Sequence, residues 1–150
     1  MITPDPLVDN MEINQYHQRV ITAGLYMLEK SIELIERLLI VQDREKITYR
    51  VNDQPGDKVR NSVLQDVEKM RKIIRELKDE LNLKPREESI ARNVRAEAAH
   101  IWEALCDMVS GELDRYGKTP KELADLWDPK VKELIEISLR IEAKVSESRE

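Results

Sequence analysis

The sequence predicts an all-α fold: an up-and-down four-helix bundle with a long first helix and one extra short helix. Three observations carry that prediction. Apolar residues recur at alternating three- and four-residue intervals through three long windows, as expected of helices that each bury one stripe. Four glycines and six prolines in 150 residues supply too few turns for a many-stranded β fold. Aromatic residues make up only 4% of the chain and phenylalanine is absent, so the core has to be aliphatic.

The elements follow in order along the chain. Asp5-Pro6 has the form of an N-cap followed by proline at the first helical position, where a missing N–H costs nothing. From there to about Glu45 no proline intervenes, and Ile21, Leu25, Leu28, Ile32, Ile35 and Leu39 form a seam spaced 4-3-4-3-4. Residues 46–57 break the helix. Ile47-Thr48-Tyr49-Arg50-Val51 has extended character, and Asn52-Asp53-Gln54-Pro55-Gly56-Asp57 is dense in turn formers, so this stretch reads as a structured loop. The second helix repeats the seam at Val63, Val67, Met70, Ile74, Leu77 and Leu81, with Asn82 as its stop. Pro85 opens a third helix carrying Ile90, Val94, Ala98, Ile101, Leu105 and Met108, which runs to Tyr116 and ends at Gly117. The short connection predicts an antiparallel hairpin between helices two and three. Thr119-Pro120-Lys121-Glu122 reads as a capping box for the short helix, and Asp128-Pro129 as the start of the last one, with Val131, Leu134, Ile135, Ile141 and Val145 inward. Residues 1–150 thus read as a single helical-bundle domain.

The first helix is apolar on two faces. With Ile32 at heptad position a and Ile35 at d, the seam fills a and d. Val20, Met27 and Leu34 then fall at c, and Gly24, Ser31 and Leu38 at g. The second stripe lies about 110° from the seam at 100° per residue. A helix of forty residues spans about 60 Å, against ~36 Å and ~28 Å for the second and last helices. A helix that overhangs its own bundle must bend, break or find another chain. The second stripe is either core within one four-helix bundle or, on the favoured reading, a surface for a second copy. Val20, Gly24, Met27, Ser31 and Leu34 are accordingly the expected interface of a coiled-coil homodimer, with Gly24 and Ser31 allowing close approach.

Composition excludes several classes of function. The chain is 41% apolar and 37% charged with a net charge of −5, so a broad nucleic-acid or anionic-membrane surface is not expected. No apolar run approaches the ~18 residues of a membrane span and no signal segment is present, which points to the cytoplasm. The single Cys106 makes no internal disulfide.

Candidate chemistry is sparse. Glu33-x-x-Glu36 and Glu76-x-x-Asp79 resemble the paired acidic motifs with which all-α nucleoside-triphosphate pyrophosphohydrolases hold Mg²⁺, a hard cation that needs carboxylates from facing helices. That resemblance implies a Mg²⁺-dependent hydrolase using those four residues. Glu97-x-x-His100 has the spacing of di-iron carboxylate bundles, but the second such motif is missing, because His17 has Asn14 three residues before it. Arg95 and His100 resemble the Arg…His pattern of HEPN-type ribonuclease domains, although five residues along one helix turn the two side chains about 140° apart. Between Lys58 and Lys84 eight basic and five acidic residues give a local +3, without aromatics for base stacking. The favoured expectation is therefore a non-enzymatic structural, adaptor or regulatory protein, homodimeric and open to a further protein partner.

Overall fold

The computed structural model describes residues 13–41 and 43–147 and is helical, with no strand among them. The helices are α1 (Gln15–Ile40), α2 (Asp57–Glu80), α3 (Ile90–Cys106), the single turn α4 (Ser110–Leu113) and α5 (Lys121–Glu147). A 3₁₀ turn at Asp114–Tyr116 follows α4. Contacts divide the chain into two compact units, residues 1–86 and 87–150, and each is built on a helical hairpin.

In the first unit α1 begins at a true cap. Asn14 is extended, and its side-chain oxygen accepts a hydrogen bond from the His17 N–H at 2.8 Å, satisfying one of the helix's unpaired amides. The Asp5-Pro6 start lies outside the described residues. The helix stops at Ile40, short of the expected Glu45, because Val41 turns extended. Beyond it the chain makes a minimal hairpin: the Lys46 N–H donates to the Tyr49 carbonyl at 3.0 Å and the Val51 N–H to Arg44 at 2.7 Å. The β-branched run around Ile47-Thr48 wins locally over helix continuation. The Gln54 side-chain amide then reaches back to the Leu39 and Val41 carbonyls at 3.5 and 3.4 Å, closing the exposed end of α1. The described part of α1 is 26 residues long, about as long as α5 at 27, and the first residues of the expected forty-residue helix lie outside the described residues.

The α2 helix ends as the sequence predicts. Asn82 is left-handed (φ 50°), and the Asn82 and Leu83 N–H groups donate to the Asp79 and Lys78 carbonyls at 3.2 and 2.9 Å, a Schellman closure. Leu83, which follows the turn, is buried, as the hydrophobic contact of that motif requires. The α1–α2 pair is antiparallel, with Glu36 of α1 bonded to Arg71 of α2 and Ile32, Leu39 and Val67 at its centre.

The second unit departs further from expectation. Pro85 does not open a helix; Ser89 does, its hydroxyl accepting from the Arg92 N–H at 3.2 Å. The α3 helix ends at Cys106 rather than at Tyr116, and Gly117 (φ 127°) instead closes the 3₁₀ turn. The extra short helix is therefore Ser110–Leu113, not the Thr119–Trp127 segment. That segment is continuous with the last helix, and Pro129 lies inside it. Asp128 was expected to cap the last helix. Its carboxylate instead accepts from the Ser110 N–H at 2.9 Å and from the Ser110 hydroxyl, capping α4 from a neighbouring element. The Trp127 indole N–H donates to the Met108 carbonyl, which fixes α3 and α5 as antiparallel. In that register Leu105 lies level with Val131 and Ala98 with Ser138, and all four are buried. Ala98 and Ser138 are small enough to let the backbones approach closely. The Ser138 hydroxyl donates to the Ile135 carbonyl of its own helix at 2.7 Å, so its burial leaves no unpaired donor.

Candidate interaction surface

Each helical hairpin has one closed side and one open side, and the open side of the first unit contains the stripe singled out in the sequence. Ion pairing decides which side of α1 faces α2. Arg71, largely shielded, bonds to Glu36 at 2.6 Å and to Glu68 at 2.7 Å, so position e of α1 is turned toward α2. The Arg71 hydrogen bond holds the Glu36 carboxyl below its ordinary pKa, and Glu36 first and Glu68 second raise the guanidinium. On the same side Arg86 stacks over the Tyr26 ring, 4.6 Å from its centroid, and Lys30 approaches that ring at 5.5 Å.

With positions a, e and b turned to α2, positions c, g and d remain uncovered. Val20 and Met27 are 72% and 68% exposed, and Leu34 49%; Gly24, Ser31 and Leu38 between them are exposed too. The seam residues Leu28 and Ile35 of α1 and Met70 and Leu77 of α2 are open along the same edge, with Ile73 beside them. The sequence assigns these four to the closed seam, because a and d cannot be distinguished from spacing alone. The Glu36–Arg71 pair is the signal that separates them.

At the centre of this face a shallow groove of about 600 Å³ is lined by Ile21, Gly24, Leu25, Met27, Leu28 and Ser31. A Cβ built on Gly24 meets nothing within 4 Å. Glycine in a helix interior costs roughly 0.8–1.0 kcal/mol relative to alanine. No contact within the chain requires it here, and its effect is to keep the groove shallow-walled and open.

The carboxylates of the Mg²⁺ reading are not gathered. Glu36 is occupied by Arg71, whereas Glu76 and Asp79 are exposed on α2. Among the described residues no three His, Cys, Asp or Glu side chains are placed to hold a metal ion. His100 is exposed, and the half-buried Arg95 has its Nε without a hydrogen-bond partner. Cys106 is a free, half-buried thiol. In the basic α2 segment Arg71 is committed to its two carboxylates. Trp127 packs against the end of α3 through its bond to Met108, while Tyr116 is exposed.

No family model, curated protein or solved structure matches this chain. The surface itself therefore carries the functional reading. No helix among the described residues is long and apolar enough to cross a membrane. The second unit also has an open side, where Ile101, Trp102, Leu134 and Ile141 are exposed.

Proposed function

We propose that the chain is a non-enzymatic helical protein of the cytoplasm that works as a homodimer, in a structural, adaptor or regulatory role, through its helical faces. A single observation carries the reading: the Val20–Gly24–Met27–Ser31–Leu34 stripe is exposed along α1 while only seven apolar side chains of the described chain are buried. Exposed apolar area of this extent on a soluble-type helix is stabilised by covering it with another protein surface. Dimerisation through the first unit leaves the open side of the second unit for a different protein, as an adaptor requires. An up-and-down four-helix bundle closed within one chain is the competing use of the same faces.

Methionine oxidation tests the reading without any substitution. Peroxide converts exposed methionine to sulfoxide, and mass spectrometry resolves the rate at each site. In a dimer Met27 is protected, and the protection weakens as the protein is diluted. Oxidation of Met27 at the rate of a free methionine, unchanged by dilution, would contradict the proposal. Protection that never varies with concentration would favour closure within the chain.

A further inference from the structure

We infer that the first unit holds a binding site for a phosphate monoester, formed where α1 runs past the end of α2 and lined by Arg19, Lys84 and Arg86. The site lies on the closed side of α1, away from the stripe of Val20, Met27 and Leu34, so its existence does not depend on the homodimer.

The register of the hairpin creates the pocket. Glu36 of α1 is bonded to Arg71 of the antiparallel α2, so α2 ends at Glu80 about level with Met27. About three turns at the start of α1 therefore extend beyond α2. The Schellman turn at Asn82 redirects the chain there, with Leu83 buried as its anchor. Lys84 and Arg86 thereby meet Gln15, Gln18, Arg19 and Thr22 around one pocket of about 470 Å³. Its size falls within the roughly 300–1,000 Å³ of small-ligand sites.

The residue types on this wall are not those of a packing seam. Position a of α1 is Leu25, Ile32 and Leu39 along the hairpin but Gln18 in the pocket, with Gln15 and Thr22 at e beside it. Charge is one-sided as well. Three cations line the pocket and no carboxylate does, in a chain whose net charge is −5. Among the described residues none of the three forms an ion pair, whereas Arg60, Arg71 and Arg115 each find a carboxylate. Like charges gathered without a counterion repel one another, and an anion entering between them relieves that repulsion.

The donor set selects the ligand. The Arg86 guanidinium stacks 4.6 Å from the Tyr26 ring centroid, which restrains the side chain and leaves its N–H edge for a second partner. A guanidinium matches phosphate oxygens in a two-bonded fork, and Lys84 adds a compact charge. Gln15, Gln18 and Thr22 supply neutral donors and acceptors. The pocket also flanks the first turn of α1, the positive end of its dipole. A phosphate monoester, with a charge of about −1.5 to −2 at pH 7, matches three cations better than a singly charged carboxylate does. That group occurs on soluble small molecules and on lipid head groups alike.

Two arms of one experiment separate these sources. The full chain is titrated with glycerol 3-phosphate in a calorimeter, and is sedimented with phosphatidylcholine vesicles with and without phosphatidic acid. Saturable binding is expected in at least one arm, with a dissociation constant of about 1 mM or tighter for the soluble ester, and the arm that responds identifies the source. Arg19→Gln and Lys84→Gln, both at exposed positions, are each expected to weaken that binding about tenfold or more without moving the urea midpoint. Lys72→Gln, at an exposed position of α2 outside the pocket, is expected to leave it unchanged. No saturable binding in either arm would overturn the inference, as would binding that Arg19→Gln and Lys84→Gln leave intact. Equal weakening by Lys72→Gln would overturn it too, because attraction would then be spread over the basic surface instead of gathered in the pocket.

Discussion

Met27→Ala separates packing within the chain from packing between chains. Met27 keeps 68% of its surface open in one chain, whereas Ile32, five residues away on the same helix, keeps 1%. Fully burying a methionine is worth about 1.5–3 kcal/mol, so the fraction still available to a partner corresponds to about 1–2 kcal/mol per copy. A two-fold interface contains the residue twice, which gives about 2–4 kcal/mol per dimer, or roughly 30- to 1,000-fold in dissociation constant. Within one chain the same substitution removes almost no contact, and alanine is the best helix former, so fold stability should shift by less than about 0.5 kcal/mol. Ile32→Ala is the opposite control. It leaves a cavity against α2 and should cost about 2–5 kcal/mol of fold stability. Sedimentation equilibrium reads the dissociation constant and urea unfolding reads the stability. If Met27→Ala lost several kcal/mol of fold stability, or left the association constant unchanged, the division of α1 into a closed and an open face would be refuted.

Three further outcomes follow from the same geometry. The folded-state pKa of Glu36 lies below its unfolded value, so its bond to Arg71 contributes stability that is present above the ordinary glutamate pKa and is lost as the pH falls through the folded one. Melting curves from pH 7 to pH 3 should show that loss in the wild type, and Glu36→Gln should flatten it. Asp128→Ala removes the acceptor for the Ser110 N–H and hydroxyl and should cost about 0.5–2 kcal/mol in the unfolding of the second unit, the range for lost helix caps. Pro129→Ala relieves a proline inside a 27-residue helix, where the ring costs about 3 kcal/mol through a missing donor and a clash with the preceding turn. Part of that gain is offset by the looser unfolded chain, so calorimetry should show a net stabilisation of about 1–2 kcal/mol.

Helix identity was legible in this sequence, while helix ends were less so. The seams of the first three helices select Ile32, Leu39, Val67, Ala98 and Leu105, which are buried, but also Leu28, Ile35, Met70, Leu77, Ile90 and Ile101, which are exposed; in the last helix Val131 is the inward residue that is buried. Asn82 was readable as a stop because asparagine tolerates the left-handed backbone that a Schellman closure demands. Asp128-Pro129 misled because the motif is ambiguous. The same carboxylate that caps its own helix elsewhere here reaches across to Ser110, and only tertiary proximity reveals this. The end of α1 at Ile40 depended on Gln54, fourteen residues further on, whose amide closes the helix. Ser138 was missed because a buried serine gives no hydrophobic signal; its seven-residue spacing from Val131 and Val145 was the available clue.

The second apolar stripe of α1 was visible from residue spacing alone. Which side of the seam stays open was not visible, because a and d positions are chemically alike. Glu36 and Arg71 resolve it, and their distance along the sequence hides the pairing until the hairpin forms.

The central claim is that the open face of α1 and α2 is covered by a second copy of the chain. Light scattering on a sizing column, across a hundredfold range of concentration, measures this most directly. The chain mass is 17.6 kDa, and a dimer corresponds to twice that value. The account predicts the doubled mass at high concentration, with a return toward the single mass on dilution or after Met27→Lys. A mass of one chain across the whole range would contradict it.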